Sequence, residues 1–259
     1  MLAVESVSRA FTGRAGTVLA LDDVTLRVEA GEFVAVIGRS GSGKSTLLRL
    51  MAGLIRPTAG RAYLADEPIR RPSRQVAVMF QRPALLPWRT VLDNVLLPVE
   101  MVGRPRRRYV ARAEELLAMV GLADAARRLP TELSGGMQQR VSLCRSLVTS
   151  PAVLLMDEPF SALDALTREE LAAELARMHV AEGTTTVLVT HSIDEAVMLA
   201  DRVVVLSDHP GRIREIVPVD LPRPRSLGSD AHTAEVSAYR ARLHDLLLGD
   251  TAEEGTTST

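Results

Sequence analysis

The sequence predicts an α/β fold in which a parallel β-sheet is covered by helices, an antiparallel β subdomain precedes it and an α-helical subdomain is inserted into it. Three observations carry that expectation. Short apolar runs rich in β-branched residues recur at 33–37, 75–79, 153–156, 185–189 and 203–206, and runs that are apolar on both faces suit parallel strands buried between helices. Helical patterns alternate with these runs, which favours a right-handed α/β arrangement. From about 88 to 150 the alternation stops, and periodic stretches such as 109–120 and 136–147 read as helices with proline or glycine between them.

In chain order, 2–7 and 24–28 alternate apolar and polar side chains, as antiparallel strands with one wet face do. The apolar strand 33–37 runs into a glycine-rich turn and then a helix at 44–52. Further on, Thr167 is placed to cap a helix over 168–180 that stops before Gly183, and Ser192 or Asp194 can cap one that runs to Leu199. After Leu221 the chain becomes polar and proline-bearing, with one amphipathic pattern at 236–248 and an end, 251–259, expected to be disordered. The expected organisation is one domain over 1–220, with the helical subdomain at about 88–150 inside it, and a partly helical tail over 221–259.

The chain has 259 residues, 46% of them apolar and 24% charged, values of a folded globular protein. Its 31 basic and 32 acidic side chains leave a net charge of -1, so no global positive field exists to hold a nucleic acid. No apolar run approaches the 18 residues of a membrane-spanning helix, and Glu5 and Arg9 interrupt the stretch a secretion signal would need, so a cytosolic location is expected. The single cysteine, Cys144, reads as a packed residue. Every basic side chain but one is arginine, and the exception is Lys44.

That lysine falls inside Gly38-Arg39-Ser40-Gly41-Ser42-Gly43-Lys44-Ser45, followed by Thr46, with an apolar strand before it and a helix after. The string and its context fit the phosphate loop (Walker A) of P-loop NTPases with a RecA-like core. Glycines let backbone N–H groups turn inward around phosphates, the helix N-terminus adds positive potential, the lysine reaches the β and γ phosphates, and the Ser45 hydroxyl ligates Mg²⁺. A compact ammonium fits such a cradle better than a planar guanidinium, which explains the lone lysine. The strand at 153–156 ends in Asp157 and Glu158. Asp157 can hold Mg²⁺ and Glu158 can polarise an attacking water; the competing reading, a cap or an arginine partner, is weaker beside a phosphate loop.

Between these elements lies Leu133-Ser134-Gly135-Gly136-Met137-Gln138-Gln139-Arg140. Physically it is a second anion cup: a hydroxyl, two glycine N–H groups and the positive end of a helix. It resembles the signature of the ATP-binding cassette family. The resemblance spans about residues 1–220 and implies further roles. Phe11 resembles the aromatic that stacks on adenine, and Gln81 the glutamine that senses Mg²⁺ and the attacking water. Ser161-Ala162-Leu163-Asp164 resembles the loop facing the opposite subunit, and His191 the histidine that contacts the γ phosphate. It also implies catalytic roles for Glu158, His191 and Gln81, with Ser134, Gly135, Gly136, Gln138 and Asp164 contributing to nucleotide binding in a homodimer that sandwiches ATP and Mg²⁺.

At finer grain, 83–91 with Asp93-Asn94-Val95 is similar to cassettes of bacterial importers for nitrate, aliphatic sulfonates, taurine and related solutes, and so is His209-Pro210-Gly211-Arg212-Ile213. This resemblance implies separate transmembrane permease subunits, an extracytoplasmic solute-binding protein and a peripheral position at the cytoplasmic face of a bacterial membrane, with the segment from Gln81 to Val95 as the docking face. Two rivals are a soluble cassette acting as a clamp or scaffold, as in iron–sulfur assembly, and a small-molecule kinase. The kinase would leave the Ser134–Gly136 cup without a function.

Overall fold

The computed structural model describes residues 1–13, 16–223, 225 and 233–249; the expectation for 251–259 lies outside them. The elements in chain order are β1 (Leu2–Gly13), β2 (Gly16–Val28), β3 (Phe33–Ile37), α1 (Lys44–Met51), β4 (Ala59–Leu64), β5 (Glu67–Pro68), β6 (Val76–Met79), α2 (Val91–Met101), α3 (Val110–Met119), α4 (Gly135–Leu147), β7 (Val153–Asp157), α5 (Ala165–Glu182), β8 (Thr185–Val189), α6 (Ile193–Leu199), β9 (Arg202–Leu206), β10 (Ile213–Pro218) and α7 (Thr233–Leu248). They form two compact units, one of Met1–Ser73 with Thr185–Thr259 and one of Arg74–Thr184.

The first unit contains two sheets. One is antiparallel, in the order β2-β1-β4-β5. Its β1–β2 hairpin pairs from Leu2↔Val28 out to Gly13↔Gly16, beyond the expected strands 2–7 and 24–28. Residues 11–13 and 16–19 are exposed on both faces, so nothing imposes an apolar alternation there and the sequence carried no strand signal. In the other sheet β3 pairs in parallel with both β8 and β9, and β10 closes an edge antiparallel to β9. Every residue of β3 and β8 is buried, as two-faced apolar runs require. Helix α1 packs against β1, β2, β4 and β8 and buries Leu47, Leu48, Leu50 and Met51. Helix α7 lies on α6 and β9, with Leu243 fully buried. It is fastened by Arg240 to Asp194 at 2.5 Å and by the Asp220 N–H donating to the Tyr239 hydroxyl at 3.0 Å.

In the second unit β6 and β7 pair in parallel from Val76↔Val153 to Met79↔Met156. Helix α4 packs against α2, α3, α5 and β6. The Cys144 thiol is buried on α4 and donates to Leu116 O at 3.3 Å, and burial pushes its pKa up, so it is a packing residue. Asn94 is fully buried on α2: its Oδ1 accepts from Leu86 N–H at 2.7 Å, and its Nδ2 donates to Leu86 O, Arg89 O and Thr90 O. The segment before α2 is thereby pinned with Trp88 73% exposed. One expected cap is corrected: α5 starts at Ala165 with Asp164 as its cap, and Thr167 lies inside the helix. The Asp164 carboxylate accepts from both the N–H and the hydroxyl of Thr167, a stronger acceptor pair than a threonine hydroxyl could offer.

Candidate nucleotide site

In the first unit the phosphate loop joins β3 to α1. Gly41 and Gly43 have φ of 86° and 87°, the left-handed region in which glycine is unstrained. The N-cap of α1 is Gly43, with no capping side chain and no acid in the first turn, so the positive end of the helix is left to a ligand. Lys44 is buried, and its Nζ donates to Gly38 O at 2.8 Å and Arg39 O at 2.9 Å. Ser42 turns its hydroxyl inward: Oγ has no hydrogen-bond partner and lies 2.5 Å from where a Cβ on Gly38 would stand. Ser42 therefore shapes the loop. Ser45 and Thr46 are half-buried in the first turn of α1, while Arg39, Ser40 and Gly41 are exposed.

The loop is clamped from outside. Gly211 N–H donates to Ala20 O at 3.1 Å, Asp22 N–H donates to Gly211 O at 3.0 Å, and a Cβ on Gly211 would meet Ser42 O at 2.0 Å. Arg39 pairs with Asp208 at 3.0 Å, and Arg212 pairs with Asp22. The His-Pro-Gly-Arg string is thus a buttress for the phosphate loop, a role the sequence did not disclose. Gly211→Ala is expected to push the loop at Ser42 and weaken ATP binding by about tenfold, or about 1.4 kcal/mol, in a titration; unchanged affinity would show that the buttress is not needed.

Phe11 is 41% exposed on β1, and the Arg9 guanidinium lies 4.6 Å from its ring centroid. His191 is exposed in the turn after β8. That turn is fixed by Thr190, whose hydroxyl accepts from Ser192 N–H at 3.0 Å and bonds the buried Glu195, and by Ser192, which caps α6 by accepting from Glu195 N–H at 3.3 Å. His191 borders an open hollow of about 590 Å³ with Asp194, Arg240 and His244.

The second unit gathers the remaining residues. Asp157 is buried at the end of β7, and Glu158 follows with φ 49°. For a residue other than glycine this is strained backbone, costing on the order of 1–3 kcal/mol, and such strain persists only where neighbours enforce it. They do so here. Glu158 O accepts from Ser161 N–H at 3.3 Å and from Ser161 Oγ at 3.0 Å. Gln81 Nε2 donates to the same Ser161 Oγ at 2.9 Å, so the Gln81 segment, the Ser161–Asp164 loop and Glu158 form one connected set. Gln139 was missed by the sequence reading. It is 1% exposed, donates from Nε2 to Gln81 O and Pro159 O, both at 2.8 Å, and has its Oε1 without a partner. The available signal was a glutamine on a helix position whose i+4 neighbour, Leu143, is apolar.

Ser134 caps α4, its hydroxyl accepting from Met137 N–H at 3.3 Å, and is exposed with Gly135. Gly136 is buried, and a Cβ there would meet Thr167 Cγ2 at 2.3 Å. Gln138 points back, donating to Pro130 O at 3.1 Å and Leu133 O at 3.4 Å. Asp164 is committed to capping α5; the Thr167 hydrogen bonds hold its pKa below the usual carboxylate value, so the cap is kept above the ordinary carboxylate range and lost only as pH falls through the lowered value.

A glycine-lined phosphate loop on an α/β unit, with strand-end acids and a second glycine cup, defines a phosphate-loop ATPase cassette. The family model described as ABC transporter matches residues 21–161. The chain belongs to the ABC transporter family. It is 47% identical to the nitrate import ATP-binding protein NrtC of Synechococcus elongatus over 86% of this chain and 35% of that protein. It is 46% identical to the taurine import ATP-binding protein TauB of Sinorhizobium fredii over 92% of this chain and 89% of that one. It is 44% identical to the bicarbonate transport ATP-binding protein CmpC of Synechococcus elongatus over 93% of this chain. The chain spans 35% and 37% of the lengths of the nitrate and bicarbonate relatives. Among solved structures, a dimeric bacterial ABC transporter cassette aligns with TM-score 0.75 and 32% identity over 86% of this chain and all of that one. A dimeric post-hydrolysis state of an ATP-binding cassette bound to ADP and Pi aligns with TM-score 0.73 and 31% identity, over the same shares.

Proposed function

We propose that this chain is the ATP-hydrolysing subunit of an importer for a small anionic or zwitterionic solute of the nitrate, bicarbonate or taurine type. The observation that carries this reading is the 44–47% identity to ATP-binding proteins named for nitrate import, taurine import and bicarbonate transport. The chain would act as a homodimer at the cytoplasmic face of a bacterial membrane, below separate permease subunits served by an extracytoplasmic solute-binding protein. Among the described residues no helix is long and apolar enough to cross a membrane, in keeping with a separate permease.

In this reading Phe11 stacks on adenine, and the phosphate loop with Lys44 holds the phosphates of the substrate ATP. Ser134, Gly135 and Gly136 of a second copy close on the γ phosphate. Glu158 accepts a proton from the attacking water, which Gln81 orients, and His191 contacts the γ phosphate. Ser45, Asp157 and Gln81 each offer an oxygen donor of the kind Mg²⁺ takes. Gln81 fits this role because Ser161 engages its amide nitrogen and leaves the carbonyl oxygen as the ligand atom. When bound, the cation would neutralise charge on the β and γ phosphates.

The exposed Trp88, on the segment pinned by Asn94, is assigned to the permease contact. Substituting Trp88 and Leu85 with serine is expected to lower copurification with a multispanning membrane protein at least about tenfold, on the scale of losing a buried aromatic anchor, while ATP affinity is unchanged. Purification with ribosomes or an iron–sulfur assembly complex instead would promote the scaffold reading.

A further inference from the structure

We propose that Gln139 is a positioning residue for hydrolysis: although it lies in the signature string, it serves the catalytic residues of its own subunit. The proposal rests on the roles assigned above to Glu158, Gln81 and the signature.

Gln139 sits one turn inside α4, and both hydrogens of its Nε2 are spent on backbone carbonyls, Gln81 O and Pro159 O, each at 2.8 Å. These carbonyls belong to segments 58 and 20 residues away in sequence, following β6 and β7. A planar amide has its two N–H directions fixed, so a single side chain sets the spacing of both segments. Its Oε1 is left buried without a partner, so what this site uses is the donor pair. Pro159 is the neighbour of Glu158, whose backbone is in the left-handed region. The remaining links close a ring: Gln81 Nε2 to Ser161 Oγ, Ser161 Oγ to Glu158 O, the peptide bond to Pro159, and Pro159 O back to Gln139. The two residues assigned to the attacking water therefore share one hydrogen-bonded ring, and Gln139 is its only member from α4. The cap of α4 is independent, since Ser134 accepts from Met137.

The isosteric variant Gln139→Met removes both donors and keeps the volume. A displacement of about 1 Å at reacting groups can cost up to about a hundredfold, so kcat is expected to fall at least about tenfold with KM for ATP within about twofold. The ATP-induced rise in melting temperature should be retained, which shows that the variant folds and binds nucleotide. Mixed dimers then separate positioning from damage to the signature. Coexpression of Lys44→Ala with Ser134→Arg is the control: half of randomly paired dimers have one intact site, giving roughly a quarter of wild-type activity. Absence of that recovery would overturn the shared-site reading itself, independently of Gln139. Pairing Gln139→Met with Lys44→Ala puts the lesion in the subunit whose phosphate loop and Glu158 are live, and activity should drop to roughly a twentieth. Pairing it with Ser134→Arg puts the lesion only in the subunit lending its signature, and roughly a quarter should remain. Equal losses in both pairings, a loss confined to the second, or an unchanged kcat in the homodimer would each overturn the proposal.

Discussion

Glu158→Gln is expected to leave ATP binding intact and to lower hydrolysis at least about a hundredfold, the scale of removing a general base. The reason is local. Glutamine matches the shape of glutamate, and the anchors of this turn are carried by the backbone: Ser161 donates twice to the carbonyl of residue 158, and Gln139 donates to Pro159 O. The strained φ of 49° is therefore held whichever side chain is present. What changes is the end group, since an amide cannot accept a proton from water. With Asp157 and the phosphate loop untouched, bound nucleotide should persist and the ATP-bound dimer should be stable to gel filtration. The checks are nucleotide titration, phosphate release and elution volume with ATP. Hydrolysis at near wild-type rate would remove Glu158 from its assigned role.

Lys44→Arg preserves charge yet is expected to weaken ATP binding about a hundredfold, about 2.7 kcal/mol. The ammonium is buried between Gly38 O and Arg39 O, at 2.8 and 2.9 Å. The loop itself is closely packed: a Cβ on Gly38 would lie 2.5 Å from Ser42 Oγ, and one on Gly211 would lie 2.0 Å from Ser42 O. A guanidinium is wider, planar and built for bidentate pairing, so it must either distort the loop or leave it. Isothermal titration with ATP decides the matter, and unchanged affinity would make the lone lysine an accident of composition.

The buried strands were legible because burial on both faces writes an unbroken apolar run: the expected 33–37 and 185–189 coincide with β3 and β8. The phosphate loop was legible because glycine positions are dictated there by backbone geometry, as at Gly43, and in the signature Thr167 leaves no room for a Cβ on Gly136. Short strands without a buried face were not. β4, β5 and β10 are largely exposed or half-buried, and Glu67–Pro68 in β5 offers no apolar pattern at all. Helix α5 begins at Ala165, ahead of the expected 168, because the Asp164 carboxylate is its cap. The partners of Gln139 and Gly211 were invisible for a common reason. Each residue acts on backbone atoms supplied by distant segments, Gln81 and Pro159 in one case and Ala20, Asp22 and Ser42 in the other, and no local spacing encodes such a meeting.

The burial of Lys44 has a practical side. Since every other basic side chain is arginine, the chain contains one side-chain amine, and it lies in the phosphate cradle. Acylating reagents that modify amines and spare guanidinium groups thus have a single lysine to find. Mass spectrometry of the tryptic peptide holding residue 44 becomes a direct gauge of how often the cradle opens, and nucleotide that protects it can be scored without any coupled enzyme or label. For most proteins amine chemistry is a surface stain; in this one it is an occupancy meter for the phosphate loop.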